Sequence, residues 1–389
     1  MNSFRDLARK ALSEGRGIYI RGTSDPGVTL GLYFDREGII FEGYVSNNPE
    51  TQGKVLYGEH RCFRPDEIGE NSFVFVAVYR KAFVEEIVSE LHKSDIAYAV
   101  CTRSNIAACS KLIEDEVYIK ALFEAKFGFP LDLENPKTFN EKNNWRKLHD
   151  RRPIYTDMVD KYRIKDIIAE RVGPEHTFPL LGVWDSPEEV DFSALPDQFV
   201  LKVNHAGGVI VCRDKMTFDR ESAIGELTRQ LQEDYFLLSR EWPYKNVRRK
   251  VICEQYMGEN LTDYKNYCFN GKLQYTFVWE NESREDGRKP DAYFCGAYDR
   301  EWEKSEIVIG YPTWDKEIVQ PECYHEMVRI VEAMSAGIPF VRVDCYIIDN
   351  FVYVGELTFF PWGGFMRFED PKWNCLLGEM EELPEKYRG

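Results

Sequence analysis

The tightest limit on the fold is one stretch, Pro339 to Gly364, with the sequence PFVRVDCYIIDNFVYVGELTFFPWGG. Apolar and polar residues alternate with period two, which is the pattern of strands with one buried face. On the first arm Arg342, Asp344, Tyr346 and Ile348 share one face, and Val341, Val343, Cys345 and Ile347 share the other. On the second arm Val352, Val354, Glu356 and Thr358 alternate with Phe351, Tyr353, Gly355, Leu357 and Phe359. The length of the connection decides which faces meet. A two-residue turn at Asp349-Asn350 pairs Asp344 with Gly355 and separates the carboxylates. A three-residue loop centred on Asn350 pairs Asp344 with Glu356 and Arg342 with Thr358, and this odd loop is the expectation.

Two carboxylates side by side repel unless a cation lies between them, and a hard divalent ion with oxygen ligands is the usual solution. Mg²⁺ also leaves coordination positions for phosphate oxygens, and the neighbouring Arg342 suits a phosphoryl group. A surface hairpin with a cross-strand Arg-Asp pair accounts for the same residues.

The formal net charge of -16 argues against broad nucleic-acid or anionic-membrane binding, which needs a basic footprint. Lys245 to Lys250 (KNVRRK) is a local basic loop. No run approaches the roughly 18 apolar residues of a membrane span. The first residues, MNSFRDLARKALSEG, read as an amphipathic helix and not as a signal peptide, so a cytoplasmic location is expected. The ten cysteines never form C-x-x-C and there is no H-E-x-x-H, which points to reduced core thiols and away from zinc.

From residue 17 to 100 strand-like and helix-like runs alternate: GIYIR, a helix from Pro26, IIFEGYV, SFVFVAV, a helix from Lys81 to Lys93, and IAYAV. That order predicts a parallel α/β sheet with helical crossovers. The turn Gly22 to Gly27 occupies the place of a nucleotide-binding glycine loop, but Ser24 stands where the middle glycine belongs and the second strand ends at Ser46 instead of an acid. The pattern breaks over residues 101–115, so the first domain is taken as 1–110 and the second as 111–389.

In the second domain Thr138-Phe-Asn-Glu141 is a capping box opening a helix to about His149, and a single helix is predicted from Thr156 to Gly173, with Asp160 and Lys161 in its second turn. The strand QFVLKVN carries Lys202 mid-strand and runs through His205, Gly207, Gly208 and Val209 into VIVC, a hairpin whose bare N–H groups could meet phosphate or could form only a turn. Asp219 caps a long helix with Tyr235 on its apolar face. VICEQYM is a buried strand, and DYKNYCFNGKLQYTFVW a hairpin turned at Asn270-Gly271, with Asp263, Lys265 and Tyr267 on one face. As a charge on an edge strand, Lys265 would simply discourage aggregation. A polar loop is expected over 281–293, and a helix from Pro321 to Ser335.

Taken in this order, Lys161, Lys202, the glycine hairpin, Glu254, Lys265, Arg342, Asp344 and Glu356 resemble the TupA-like branch of the ATP-grasp superfamily. The resemblance covers about residues 116–385 and includes NPKTFNEK, PLLGVWDS, QFVLKVNH, REWPYKN, DYKNYCFNGK, GIPFVRVDCY and GELTFFP. The first domain, with SNNPETQG, resembles the Rossmann-like domains of PglD type, which makes a docking or structural module the expectation there. The resemblance implies an ATP-grasp fold with a small lid lobe near 186–257 and a metal-binding lobe near 258–389. It implies that Lys161 and Lys202 contact ATP phosphates, that His205 to Val209 (with Gly207 and Gly208) form the lid, and that Glu254, Gln255, Tyr256 and Met257 form the adenine-side linker. Asp344 and Glu356 are the implied Mg²⁺ ligands, Thr358 stands where many relatives place an asparagine, and Arg342, Lys202 and Lys265 are the implied catalytic cations.

A carboxylate reacts with an amine only after its oxygen becomes a good leaving group, and phosphorylation by ATP does this. The resemblance therefore implies a carboxylate-amine ligase that acts on a uronic acid of a capsular or surface polysaccharide, or on its nucleotide-sugar precursor, with a small amine as second substrate. A kinase acting on a hydroxyl is the alternative, as is a glycosyltransferase, although no D-x-D motif accompanies the latter. No nucleic-acid partner or membrane span is expected, and self-association is left open. Asp344→Asn is expected to abolish turnover with the fold nearly intact.

Overall fold

The computed structural model describes residues 4–259, 261–281, 293–313 and 317–387. It divides into two compact units, Met1–Leu133 and Glu134–Gly389.

The first unit is a parallel sheet in the order β3-β2-β1-β4-β5, built from β1 (Gly17–Arg21), β2 (Gly43–Val45), β3 (Cys62–Phe63), β4 (Ser72–Val76) and β5 (Ala97–Val100). Ile18, Ile20, Val74 and Val76 are fully buried, as strands covered on both faces require. Its helices are α1 (Phe4–Ser13), α2 (Asp25–Glu37), α3 (Lys81–Lys93), α4 (Arg103–Ser110) and α5 (Asp115–Phe127). The pattern break near 110 is not the end of this unit, because α4 and α5 pack on α2. Tyr118 and Lys126 of α5 bond to Thr29 and Asp25. A helix without period-two alternation looks like a new domain in sequence, yet its partners lie about ninety residues upstream.

The second unit contains two antiparallel sheets. The four-stranded sheet runs β6-β9-β7-β8, from β6 (Leu180–Trp184), β7 (Phe199–Val203), β8 (Ile210–Cys212) and β9 (Val251–Gln255). Phe199, Leu201 and Val203 bury one face against Leu227 of α9 (Arg220–Gln232). Asp219 caps α9 by accepting from the Ser222 N–H, but Tyr235 lies outside it, in the short α10 (Tyr235–Ser239). The five-stranded sheet runs β12-β11-β10-β13-β14, from β10 (Asp263–Phe269), β11 (Lys272–Asn281), β12 (Tyr293–Asp299), β13 (Phe340–Ile348) and β14 (Phe351–Thr358). Val341, Val343, Cys345 and Val354 pack against Met327, Ile330 and Met334 of α11 (Tyr324–Ser335). That burial leaves the charged face of the sheet pointing the other way. Of the polar loop expected over 281–293, residues 282–292 lie outside the described residues.

The remaining helices are α6 (Phe139–His149), α7 (Ile154–Val159), α8 (Ile164–Arg171) and α12 (Lys372–Met380). The capping box holds: the Thr138 hydroxyl accepts from the Glu141 N–H at 3.3 Å, and Glu141 accepts from the Thr138 N–H at 2.8 Å. The single helix expected from Thr156 to Gly173 is broken into α7 and α8. Asp160 explains the break, since its carboxylate accepts from the Tyr162 and Arg163 N–H groups at 2.8 and 3.3 Å and so begins a new helix. Lys161 therefore stands in a gap between helices and not on a helix face.

The register of β13 and β14 reaches the expected result by another route. Ile348 pairs with Phe351, so the turn has two residues, and Asp349 and Asn350 both take left-handed φ values of 51° and 60°. Taken alone, this turn would separate the carboxylates. The register then shifts between Asp344 and Cys345, leaving Gly355 as the extra residue of a bulge, and Asp344 pairs with Glu356 after all. A Cβ at Gly355 would lie 2.7 Å from the Tyr346 ring, so the bulge needs glycine.

Candidate active site

The charged face of the five-stranded sheet is organised in rows. Lys265 of β10 pairs with Asp344 of β13, and Asp344 pairs with Glu356 of β14. Tyr267, Arg342 and Thr358 form the next row, and Asp263 pairs with Tyr346 on the other side. Arg342 clamps Asp344 bidentately, Nε to Oδ1 at 2.6 Å and Nη2 to Oδ2 at 2.5 Å. Lys265 Nζ donates to Asp344 Oδ2 at 3.1 Å and to Asp263 Oδ2 at 2.5 Å. Lys161 Nζ reaches Glu356 Oε2 at 3.2 Å, and Arg342 Nη2 lies 3.7 Å from Glu356 Oε1.

These contacts set the protonation states. Lys161 above all holds the Glu356 carboxyl down to about 2, with Arg342 and Lys265 assisting against burial. Burial and the Asp344 charge push Asp263 up to about 6, although Lys265 opposes them. Burial works to lower the Arg342 pKa, but Asp344 overcomes it and the guanidinium stays charged. The site thus presents fixed cations and at least one firmly ionised carboxylate at neutral pH.

The four-stranded sheet contributes a second ionic group. Glu254, 4% exposed, receives Lys202 Nζ at 2.5 Å and Lys165 Nζ at 2.6 Å. Burial pushes its carboxyl up, and the two lysines overcome that and hold it below the usual range. Lys165 was missed in the sequence; its spacing of four from Lys161 is the signal that could have found it, had the helix been unbroken. Lys165 also donates to Thr177 Oγ1 at 3.1 Å and the Phe178 carbonyl at 2.8 Å, so its three protons are used. Gln255 ends β9 with its N–H on the Pro179 carbonyl at 2.9 Å, and Tyr256 and Met257 follow in irregular chain.

Lys161 ties the two groups together. Its N–H donates to the Asn204 carbonyl at 3.0 Å, and its Nζ to the Ala206 carbonyl at 3.2 Å as well as to Glu356. Gly207, Gly208 and Val209 are exposed between β7 and β8, with Val209 59% accessible. His205 does not join them: it is buried and its Nε2 lies 3.1 Å from the Glu233 carbonyl, which can only accept, so Nε2 carries the proton.

A further set of residues was not recognised in the sequence. Asn140, Asn143, Asn144 and Lys147 share one buried face of α6, although polar residues rarely fill such a stripe. Asn140, Asn144 and Lys147 hold the chain that follows β14, while Asn143 bonds within the helix to the Phe139 carbonyl and Arg146. Asn144 Nδ2 donates to the Gly364 carbonyl at 2.8 Å, Lys147 Nζ donates to the Gly363 carbonyl, and Asn140 exchanges two 2.8 Å bonds with the Met366 backbone. Glu241 lies beside this turn, 2% exposed.

Glu241 and His205 make a pH prediction of opposite signs. Burial pushes Glu241 from 4.5 up to about 7, against Lys147 and Arg342, and burial pulls His205 from 6.5 down to about 4. The Glu241 contribution to stability is full below its unfolded value and is lost as pH rises to about 7. The His205 contribution is full above 6.5 and is lost as pH falls to about 4. Relative to wild type, His205→Gln should therefore tilt the profile of Tm against pH downward between pH 5 and 7, and Glu241→Gln should tilt it upward over the same range. Parallel slopes in the two variants would contradict the assignment.

The family model described as TupA-like ATPgrasp matches residues 141–381. No curated protein matches the chain significantly. Among solved structures, an L-amino acid ligase from Bacillus licheniformis is similar at 12% identity and TM-score 0.36, over 88% of this chain and 67% of that one. A D-alanine–D-alanine ligase from Bacillus anthracis complexed with ATP is similar at 14% identity and TM-score 0.32, over 88% and 84%. D-cycloserine synthetase DcsG is similar at 13% identity and TM-score 0.33, over 94% and 99%. These likenesses are distant, and the assignment rests on the family model, which spans well over half of the chain. The chain belongs to the TupA-like ATP-grasp family.

Proposed function

We propose that the protein is an ATP-dependent carboxylate-amine ligase whose acid substrate is a uronic acid of a surface polysaccharide or its nucleotide-sugar precursor. The observation that carries this reading is the row Lys265, Asp344 and Glu356, flanked by Arg342 and Lys161 and accompanied by Lys202 on the second sheet. Fixed cations suit phosphoryl transfer, where positioning and charge neutralisation do most of the work. The nearby thiols do not suit covalent catalysis: burial pushes Cys345 well above its usual range and Cys295 up to about 12.

On this reading Lys161 and Lys202 bind ATP phosphates, the backbone from His205 to Val209 covers them, and Glu254 to Met257 border the adenine. A substrate carboxylate oxygen attacks the γ-phosphorus and ADP leaves. Arg342 and Lys265 neutralise the charge that collects on the transferring group. The amine then attacks the acyl carbon, loses a proton, and phosphate departs with the oxygen that came from the acid. The residues fit a Mg²⁺ ion, because Asp344 and Glu356 are directly opposed and a pair of carboxylates leaves room for water and phosphate oxygens. Asp344 and Glu356 would hold it, and when bound it offsets phosphate charge. The first unit is read as a Rossmann-like docking module of PglD type, and ATP dependence suits a cytoplasmic location; no described helix is long and apolar enough to cross a membrane.

The test is hydroxamate formation with ADP release, using hydroxylamine as the amine, Mg-ATP, and a panel of free, polymeric and nucleotide-linked uronic acids. Hydroxamate that requires one class of acid supports the ligase and names its substrate. ADP release with a stable phosphorylated hydroxyl and no hydroxamate makes the protein a kinase instead.

A further inference from the structure

Beside the ionic row, on the same face of the sheet, three aromatic rings form a ladder that the reaction chemistry does not explain. Trp279 of β11 pairs with Asp263 of β10, which places it on the face that carries Lys265. Its ring lies 5.7 Å from Lys265 Nζ. Tyr311 follows at 4.6 Å between ring centroids, and Trp362 follows Tyr311 at 5.6 Å. The ladder thus starts at the catalytic cations and ends at Trp362, whose side is open to solvent at 49% exposure.

Trp362 is costly to place there. Its φ of 56° lies in the left-handed region, followed by Gly363 at 62° and Gly364 at 78°. A non-glycine residue in that region is strained, because its Cβ crowds the neighbouring carbonyl oxygen. A half-exposed indole recovers little of this by burial, and glycine at this position would avoid the cost. The polar face of α6 nevertheless fixes the turn through Asn144 and Lys147. Buried polar residues that fix the backbone just after an exposed, strained aromatic residue beside the ionic row point to a ligand and not to stability. A second observation agrees: Trp279 Nε1 is buried and has no acceptor among the described residues, although an indole N–H normally finds one.

We infer that Trp362, Tyr311 and Trp279 line the acceptor subsite, in which the exposed Trp362 ring is the stacking platform for one pyranose whose carboxylate is drawn towards Lys265 and Arg342. This rests on the ligase reading above and deepens it. A pyranose has an apolar C–H face and a polar rim. The face suits the negative π-surface of an indole, and the rim suits a lone N–H donor. With a net charge of -16 the protein repels acids at large, so a substrate carboxylate must be drawn by local cations, and Lys265 and Arg342 adjoin the inner end of the ladder. Adenine would be served from the other sheet, near Glu254 to Met257, so the ladder is not needed for the nucleotide.

The experiment is isothermal titration of the full chain, in the presence of Mg²⁺ and a non-hydrolysable ATP analogue, with methyl glucuronide, neutral methyl glucoside and a linear hydroxy acid. Wild type, Trp362→Ala, Trp362→Phe and Tyr311→Leu are compared, with nucleotide affinity measured in each. The expected result is glucuronide binding that weakens about tenfold in Trp362→Ala, recovers to near wild type in Trp362→Phe, and leaves nucleotide affinity unchanged. Equal glucuronide affinity in wild type and Trp362→Ala overturns the platform while the saccharide reading stands. Loss of nucleotide affinity in Trp362→Ala also overturns it, because the ring would then serve ATP. Binding of the linear acid but of no saccharide by wild type overturns the saccharide reading and the pyranose platform together, as does silence from the whole panel.

Discussion

Asp344→Asn is expected to lower turnover by about 10³-fold and, unlike the expectation from sequence, to destabilise the protein as well. Asp344 is 2% exposed and is the shared acceptor of Arg342 and Lys265. Removing its charge leaves both cations buried with a neutral amide in place of their counter-charge. Breaking a buried pair from one side costs about 3–5 kcal/mol, and the nearby Glu356 and Asp263 place this variant at the lower end. The cleaner variant is Glu356→Gln. Its side chain is 39% exposed, so solvent screens the loss and the stability cost is smaller than in Asp344→Asn, while the opposed pair of carboxylates is lost in the same way. Activity in Glu356→Gln should fall as steeply as in Asp344→Asn, with a smaller fall in Tm than Asp344→Asn shows. The acid limb supplies a check. Glu356 is held at about 2 against an ordinary 4.5, so its contribution is present above pH 4.5 and is lost as pH falls towards 2. Glu356→Gln should flatten stability in that window, and a fully active Glu356→Gln would remove the carboxylate pair from the mechanism.

Lys202→Met and Lys165→Met should separate binding from structure, although both lysines hold Glu254. Lys165 uses its three protons on Glu254, Thr177 and Phe178. The Lys202 ammonium donates to Glu254 and retains protons for a phosphate. A charge-assisted bond to phosphate is worth about 1.5–3 kcal/mol, so Lys202→Met should raise the KM for ATP by about 10- to 100-fold. The Glu254 charge keeps Lys165, so stability should fall less. Lys165→Met should do the reverse: a fall in Tm with the KM for ATP within a few-fold of wild type. Kinetics and melting on the two variants decide this. Equal effects on KM would make Lys165 a phosphate ligand too.

How much of this was legible in the sequence depended on whether the signal was local. Period-two alternation placed the charged faces of β10 and β13, and the capping box placed α6, because each is settled within a few residues. The opposition of Asp344 and Glu356 was anticipated for the wrong reason: an odd loop was expected, and a two-residue turn followed by a bulge at Gly355 delivers the same pairing. Turn geometry can be read from Asp-Asn, but a bulge further along the strand has no comparable mark. The break at Asp160 was missed because a capping aspartate inside an apolar helical pattern looks like an exposed charge. The roles of Asn140, Asn144 and Lys147 were out of reach for a different reason. Their partners are backbone carbonyls more than two hundred residues away, and such contacts leave no spacing in the sequence.

The most direct test of the central claim follows one oxygen atom. With the responsive uronic acid labelled with ¹⁸O in its carboxylate, and Mg-ATP and an amine supplied, the released phosphate is analysed by mass spectrometry. Acyl-phosphate chemistry at the row of Lys265, Asp344 and Glu356 predicts one ¹⁸O in each phosphate formed and one retained in the amide. Phosphate free of label, with both ¹⁸O atoms still in the acid or the label-bearing acid phosphorylated on a hydroxyl, would contradict the account.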